Sequence, residues 1–143
     1  MDLKRLILPA SAGSLSAFSE FVRGGAMEAG VAEDEFAKLD LVLEEILINV
    51  ARYAYTPGTG TVEVAYATAG PRKLLVEIAD SGRIFNPLDA DPPDLSRGLA
   101  DRPIGGLGVF LVRSMVASID YRRESDRNIL AFTFPLDGDP GAG

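Results

Sequence analysis

Apolar residues recur along this chain at two spacings, and each change of spacing marks a new element. Asp2 to Leu8 reads as a strand that Pro9 stops. Ser11 or Ser14 can then cap a helix through Ala29, with Leu15, Phe18, Phe21, Val22 and Met27 as its apolar positions and Gly24-Gly25 weakening its middle. Glu33-Asp34-Glu35 suits a helix amino terminus, and the pattern predicts a long helix from there to about Tyr55, ended by Thr56-Pro57-Gly58. Thr61 to Ala67 and Lys73 to Ala79 are β-rich on either side of Gly70-Pro71 and read as a hairpin. From Gly82 to Gly106 the periodicity lapses around Pro87, Pro92, Pro93 and Pro103, and so long a loop in a compact domain is expected to be functional or disordered. Leu107 to Val116 resumes a helix, and strands follow near Ile119 to Arg123 and Asn128 to Pro135. The order β-α-α-β-β-loop-α-β-β predicts an α+β fold, a two-layer α/β sandwich with helices on one face of a mixed, mostly antiparallel sheet. Residues 1–136 would form the domain and 137–143 a disordered tail.

Three polar interruptions of this pattern hold candidate chemistry. Leu41, Val42, Leu43, Ile46, Leu47, Ile48 and Val50 make the second helix apolar nearly all round, so Glu44, Glu45 and Asn49 need a reason to be there. Glu45 and Asn49 lie one turn apart on one face, where a carboxylate and an amide converge on one ligand or form a solvated stripe with Arg52. In the ligand reading Asn49 offers an oxygen to Mg2+ and Glu45 is a base. Asp80 closes the run Leu74 to Ala79 and precedes Ser81-Gly82, either an ordinary turn or an acceptor for the exocyclic amine of adenine beside a glycine that admits the base. Gly105-Gly106-Leu107-Gly108 opens an apolar-periodic helix, where amide groups and helix dipole suit phosphates and where a hinge would also fit. No Lys-Ser or Lys-Thr follows it, and no strand precedes it, so neither the P-loop nor the Rossmann setting applies. Taken in order, the three pieces supply the polar groups that hold a Mg-nucleotide.

Composition narrows the chemistry further. A chain of 143 residues, 47% hydrophobic, fits one domain with a single core. Its 21 acidic and 14 basic residues give a net charge of −7, which opposes direct contact with nucleic acid. Cysteine is absent, which removes thiol nucleophiles, thiolate metal sites and disulfides. Histidine is absent too, so a Ser-His-Asp triad, an imidazole metal site and an autophosphorylating histidine are excluded. Lys4 and Arg5 before Leu6-Ile7-Leu8 outline a signal sequence, but Pro9 stops the apolar run too early, and no uncharged run approaches membrane-spanning length. The expected location is cytoplasmic.

The stretches Glu44 to Tyr55, Asp80 to Pro87 and Arg102 to Gly108 resemble, in this order, the GHKL ATPase superfamily, and within it the free-standing anti-sigma factor serine/threonine-protein kinases of bacteria. The resemblance runs from the first strand to Pro135 and implies the Bergerat-type ATP-binding fold. It implies ATP and Mg2+ as ligands, with Glu45 as general base, Asn49 as magnesium ligand, Asp80 as adenine anchor with Gly82 beside it, and Gly106 and Gly108 in the phosphate-binding hinge of a lid. Arg52, Gly105 and Leu107 join the expected nucleotide site, and Arg97 or Arg102 would meet the terminal phosphate. Many superfamily members carry a Gly-Thr near the last strands that supports the adenine aspartate through water; here the corresponding stretch is Asp126 to Leu130. The implied partners are an anti-anti-sigma (STAS-type) protein, whose serine is phosphorylated, and a sigma factor that is sequestered; a homodimer is also implied. Two rivals are a nucleotide-binding module that regulates a partner without phosphoryl transfer, and a histidine-kinase catalytic domain whose phosphoacceptor histidine comes in trans.

Overall fold

The computed structural model describes residues 2–55, 58–68, 73–86 and 106–135, and for 106–110 it describes the backbone alone. The expected tail and most of the proline-rich stretch, including Arg97, Arg102 and Gly105, lie outside the described residues. In chain order the elements are β1 (Lys4–Pro9), α1 (Leu15–Ala29), α2 (Phe36–Tyr53), β2 (Thr61–Thr68), β3 (Lys73–Asp80), α3 (Gly106–Met115), β4 (Ser118–Glu124) and β5 (Arg127–Pro135). Short 3-10 turns at Ala12–Ser14 and Glu33–Glu35 lead into α1 and α2. Ser14 occupies the N-cap of α1 but makes no side-chain cap bond. Gly25 leaves α1 continuous and has a use: a Cβ there would lie 2.3 Å from the Tyr66 ring, so its absence lets the helix settle on β2.

The sheet order is β1-β2-β3-β5-β4. All four pairings are antiparallel, so the expected two-layer architecture is present but its sheet is not mixed. β5 inserts between β3 and β4, and no parallel neighbours are left. Register sorts the side chains. Val62, Val64 and Tyr66 stand opposite Asp80, Ile78 and Val76, which in turn face Asn128, Leu130 and Phe132 on β5. These positions share one face of the pleat, and α1 packs on it over β2 and β3 while α2 packs between α1 and α3. Phe18, Val22, Leu39, Val42, Leu43, Val64, Val76, Phe132 and Phe134 close one continuous core.

The opposite face alternates small and charged residues. Ala65, Ala79 and Ala131 are buried there. Glu63 accepts from Arg5 and Arg127, each at 3.3 Å. Arg122 donates to Glu124 at 2.9 Å, and this bond holds its guanidinium pKa above the ordinary arginine value, with Glu77 adding to the rise. Pairs at such exposure contribute about 0–1 kcal/mol each, so the apolar face carries the stability. Phe132→Ala is therefore expected to cost about 3–5 kcal/mol and lower Tm by about 10 °C. Ile7→Ala, on the outer face at 58% exposure, should stay within about 0.5 kcal/mol of the parent chain. Thermal melting of both variants reads the difference, and equal losses would mean that the outer face is a second core.

Candidate nucleotide site

The carboxyl-terminal half of α2 supplies one wall of the site. Leu39, Val42, Leu43, Ile46, Leu47 and Val50 are buried, and Asn49 is buried among them at 4% exposure. No hydrogen-bond partner meets the Asn49 amide among the described residues. Yet its atoms are not sealed: among those residues the single enclosed side-chain polar atom without a hydrogen bond is Glu35 Oε2, which pairs with Lys38 Nζ at 3.1 Å. Asn49 therefore presents an unused amide to a small opening in an otherwise apolar wall. Glu45, one turn earlier, is half-buried, while Glu44 is exposed and lines a different cleft against α1 with Leu15, Ser19, Asp40, Leu43 and Leu47. The helix thus separates the two acids, and Glu45 is the one that shares a face with Asn49. Arg52 is exposed and lines a further cleft with Ser11, Ala12, Ile48 and Ala51.

The end of α2 grips the segment that follows β3. Tyr53, four residues beyond Asn49, stacks its ring at 5.3 Å from that of Phe85. Arg83 donates its backbone N–H to the Ala54 carbonyl at 2.8 Å and its Nε to the Tyr53 carbonyl at 2.7 Å. The Tyr55 hydroxyl accepts from the Ser81 N–H at 2.8 Å and donates to the Thr61 carbonyl at 2.6 Å. The two Arg83 bonds use carbonyls that a helix leaves unpaired at its carboxyl end. Gly82 is what permits the approach. A Cβ at that position would lie 2.1 Å from the Ala54 oxygen, so the glycine serves backbone packing against α2.

Asp80 sits inside this arrangement at 3% exposure. Its Oδ1 accepts from the Gly82 N–H and from Asn128 Nδ2, both at 2.9 Å. No donor among the described residues reaches Oδ2, and that oxygen is not enclosed. The carboxylate is held by one oxygen and offers the other. Asn128, which the sequence pattern placed at the start of the last strand without a role of its own, is the partner. Its Nδ2 also donates to the Arg83 carbonyl at 2.7 Å, and its Oδ1 accepts from the Phe85 N–H, the Tyr121 hydroxyl and Arg123 NH1 at 3.1, 2.7 and 3.1 Å. Arg123 NH1 also donates to the Gly82 carbonyl at 2.9 Å.

The third piece is the start of α3. Gly106, Leu107 and Gly108 are the first described residues of α3. The end of α2 and the segment after β3 are joined through Tyr53, Ala54, Arg83 and Phe85, and α3 packs against α2. Among the described residues no group of three or more Asp or Glu side chains could hold a metal ion.

This fold and this set of groups define an ATP-binding domain of the GHKL type. The histidine kinase-like ATPase domain family matches residues 8–134, and the chain belongs to that family. It is 33% identical over 95 residues to the serine/threonine-protein kinase BtrW of Bordetella bronchiseptica, covering 66% of this chain and 67% of that one. It is 23% identical over 127 residues to the serine-protein kinase RsbW of Bacillus mycoides, covering 86% of this chain and 79% of the relative. Among solved structures, the RsbU and RsbW domains of a Mycobacterium tuberculosis protein align with a TM-score of 0.64 at 16% identity over 95% of this chain. This chain spans 33% of that larger protein's length, and the likeness is one of fold. A blue-light activated histidine kinase of Erythrobacter litoralis aligns over 74% of this chain and 32% of its own, with a TM-score of 0.54 and 23% identity. No helix among the described residues is long and apolar enough to cross a membrane.

Gly82→Ala is expected to detach the segment after Asp80 from α2, because the new methyl must displace the Ala54 carbonyl. Overpacking of this kind costs about 1–3 kcal/mol. Hydrogen exchange at the Arg83 amide should accelerate in step with the loss of melting stability, and a slow Arg83 amide in the variant would show that the chain absorbs the methyl elsewhere.

Proposed function

We propose that this chain is an ATP- and Mg2+-dependent protein serine kinase that phosphorylates a serine of an anti-anti-sigma (STAS-type) partner and sequesters a sigma factor. The observation that carries the nucleotide half of this reading is the Asp80 carboxylate, buried, pinned at Oδ1 and open at Oδ2. An open charged acceptor at a buried position suits an exocyclic amine, and ATP carries one at the base. The serine kinases BtrW and RsbW support the phosphoryl-transfer half.

In this mechanism Asp80 fixes the base and so sets where the triphosphate lies. The Asn49 amide oxygen would hold Mg2+, and bound Mg2+ would offset the negative charge of the phosphates. The backbone N–H groups of Gly106, Leu107 and Gly108 would face anionic oxygens. Glu45, half-buried beside Asn49, orients the incoming serine hydroxyl and accepts its proton as the hydroxyl oxygen bonds to the γ-phosphorus, while the bond from that phosphorus to the β–γ bridging oxygen breaks and ADP leaves. Catalysis of this kind rests mainly on positioning and on stabilised charge. A cytoplasmic homodimer acting on these partners completes the proposal; the lid arginine would come from Arg97 or Arg102.

Glu45→Gln keeps the size of the side chain and removes the proton acceptor, so label transfer from γ-labelled ATP to the partner should fall by about 10²–10⁴-fold while ATP affinity persists. Asn49→Ala should weaken Mg2+-dependent nucleotide binding along with turnover. Titration calorimetry and single-turnover transfer separate the two. Wild-type transfer by the Glu45 variant would remove the base assignment. Tight binding with no transfer by the parent chain would make it a nucleotide-dependent binding module.

A further inference from the structure

The register of the last hairpin places one amide where it controls the adenine site. Ser125 and Asp126 both carry positive φ, 52° and 61°, as a two-residue type I′ turn requires. The turn pairs Arg123 with Asn128, and the next pairing sets Asn128 opposite Asp80. A slip of one residue would carry Asn128 to the outer face. In the observed register Asn128 is 3% exposed and uses both Nδ2 protons and its Oδ1.

Asp80 has two anchors, and they differ in reach. The Gly82 N–H is local, two residues along the chain, and moves with the turn it belongs to. Asn128 Nδ2 comes from across the sheet, 48 residues away, and is itself fixed by Tyr121 and Arg123. Only the second anchor holds the carboxylate against the fixed frame of the fold. It also holds the Arg83 carbonyl and the Phe85 N–H, so the segment after β3 and the Asp80 anchor are set by one side chain.

We propose that Asn128 is a positioning residue for base recognition: by pinning Asp80 Oδ1 it aims Oδ2 at the exocyclic amine, so the preference for an amino-purine depends on Asn128 although it need not touch the nucleotide. The proposal rests on the nucleotide reading above. It assigns to a direct side-chain bond the support that many superfamily members obtain through a threonine and water. A purely structural Asn128 would tie β5 to the segment after β3 and leave base preference unaltered.

The test compares ATP with purine riboside triphosphate, which is ATP without the exocyclic amine. Asn128→Ala removes both donors without setting a second carboxylate 2.9 Å from Asp80 Oδ1, where one of the two acids would take a proton and donate it. Titration of the full chain should show the parent preferring ATP by about tenfold or more, the strength of a hydrogen bond to a charged group. In Asn128→Ala that preference should collapse to within about twofold, because purine riboside triphosphate has no amine for Asp80 to lose. Equal weakening of both nucleotides, or an unchanged preference, would overturn the proposal. A parent chain that binds neither nucleotide would instead overturn the nucleotide reading. A second arm needs no variant: in 15N-labelled parent protein the Asn128 side-chain amide resonances should shift on adding ATP and shift far less with purine riboside triphosphate. Equal shifts would count against the positioning role.

Discussion

A carboxylate buried to 3% exposure at the end of β3 is the constraint around which this molecule is arranged. A charge withdrawn from water must be met by donors, and a carboxylate left unmet would neutralise or unfold its surroundings. Asp80 is met on one oxygen, by a local N–H and by an amide from across the sheet. That amide is satisfied at every position it has, by groups on β4, on β5's neighbour strand and on the segment between them. The arrangement therefore stands without help at Oδ1 and invites a donor at Oδ2.

The rest of the fold serves to make that geometry possible. Antiparallel pairing through all five strands sets Val62, Asp80, Asn128 and Arg123 in one row across the core face. The apolar rows beneath it, through Val64, Ile78, Leu130 and Tyr121, keep the register from slipping, since a shift by one would turn charged outer residues inward. α2 closes the other side. Its last carbonyls receive the Arg83 side chain and backbone, and its buried face leaves Asn49 as an amide with nothing of its own to bind among the described residues. Asn49 and Asn128 are equally buried and opposite in state: one spent on the protein, one unspent.

Much of this was legible in the residue pattern, and the exceptions have physical causes. Period 3.6 in Leu39 to Val50 and period 2 in Thr61 to Asp80 located α2, β2 and β3, because burial of one face leaves a repeating imprint. Gly25 read as a weak point in α1, since no local signal reports that Tyr66 from β2 packs over it. Gly82 read as a place for the base, and in the structure it accommodates the Ala54 carbonyl, a contact across 28 positions that sequence periodicity does not carry. Asn128 was the largest gap. The residue pattern placed it at the start of the last strand, and its role appears only when antiparallel register sets it against Asp80. Arg102 and Gly105, legible only through family resemblance, lie outside the described residues.

Asp80 is proposed to offer a charged acceptor to ATP, and the substitution Asp80→Asn removes that charge with the least change of shape. Scanning fluorimetry of the parent chain with saturating Mg-ATP should raise Tm by several degrees, as a ligand that binds the folded state alone must do. In the Asp80→Asn chain, whose melting without nucleotide provides the baseline, that rise should largely disappear, since a hydrogen bond to a charged group contributes about 1.5–3 kcal/mol. A Mg-ATP shift of parental size in the Asn variant would contradict the account and return Asp80 to the role of a turn residue.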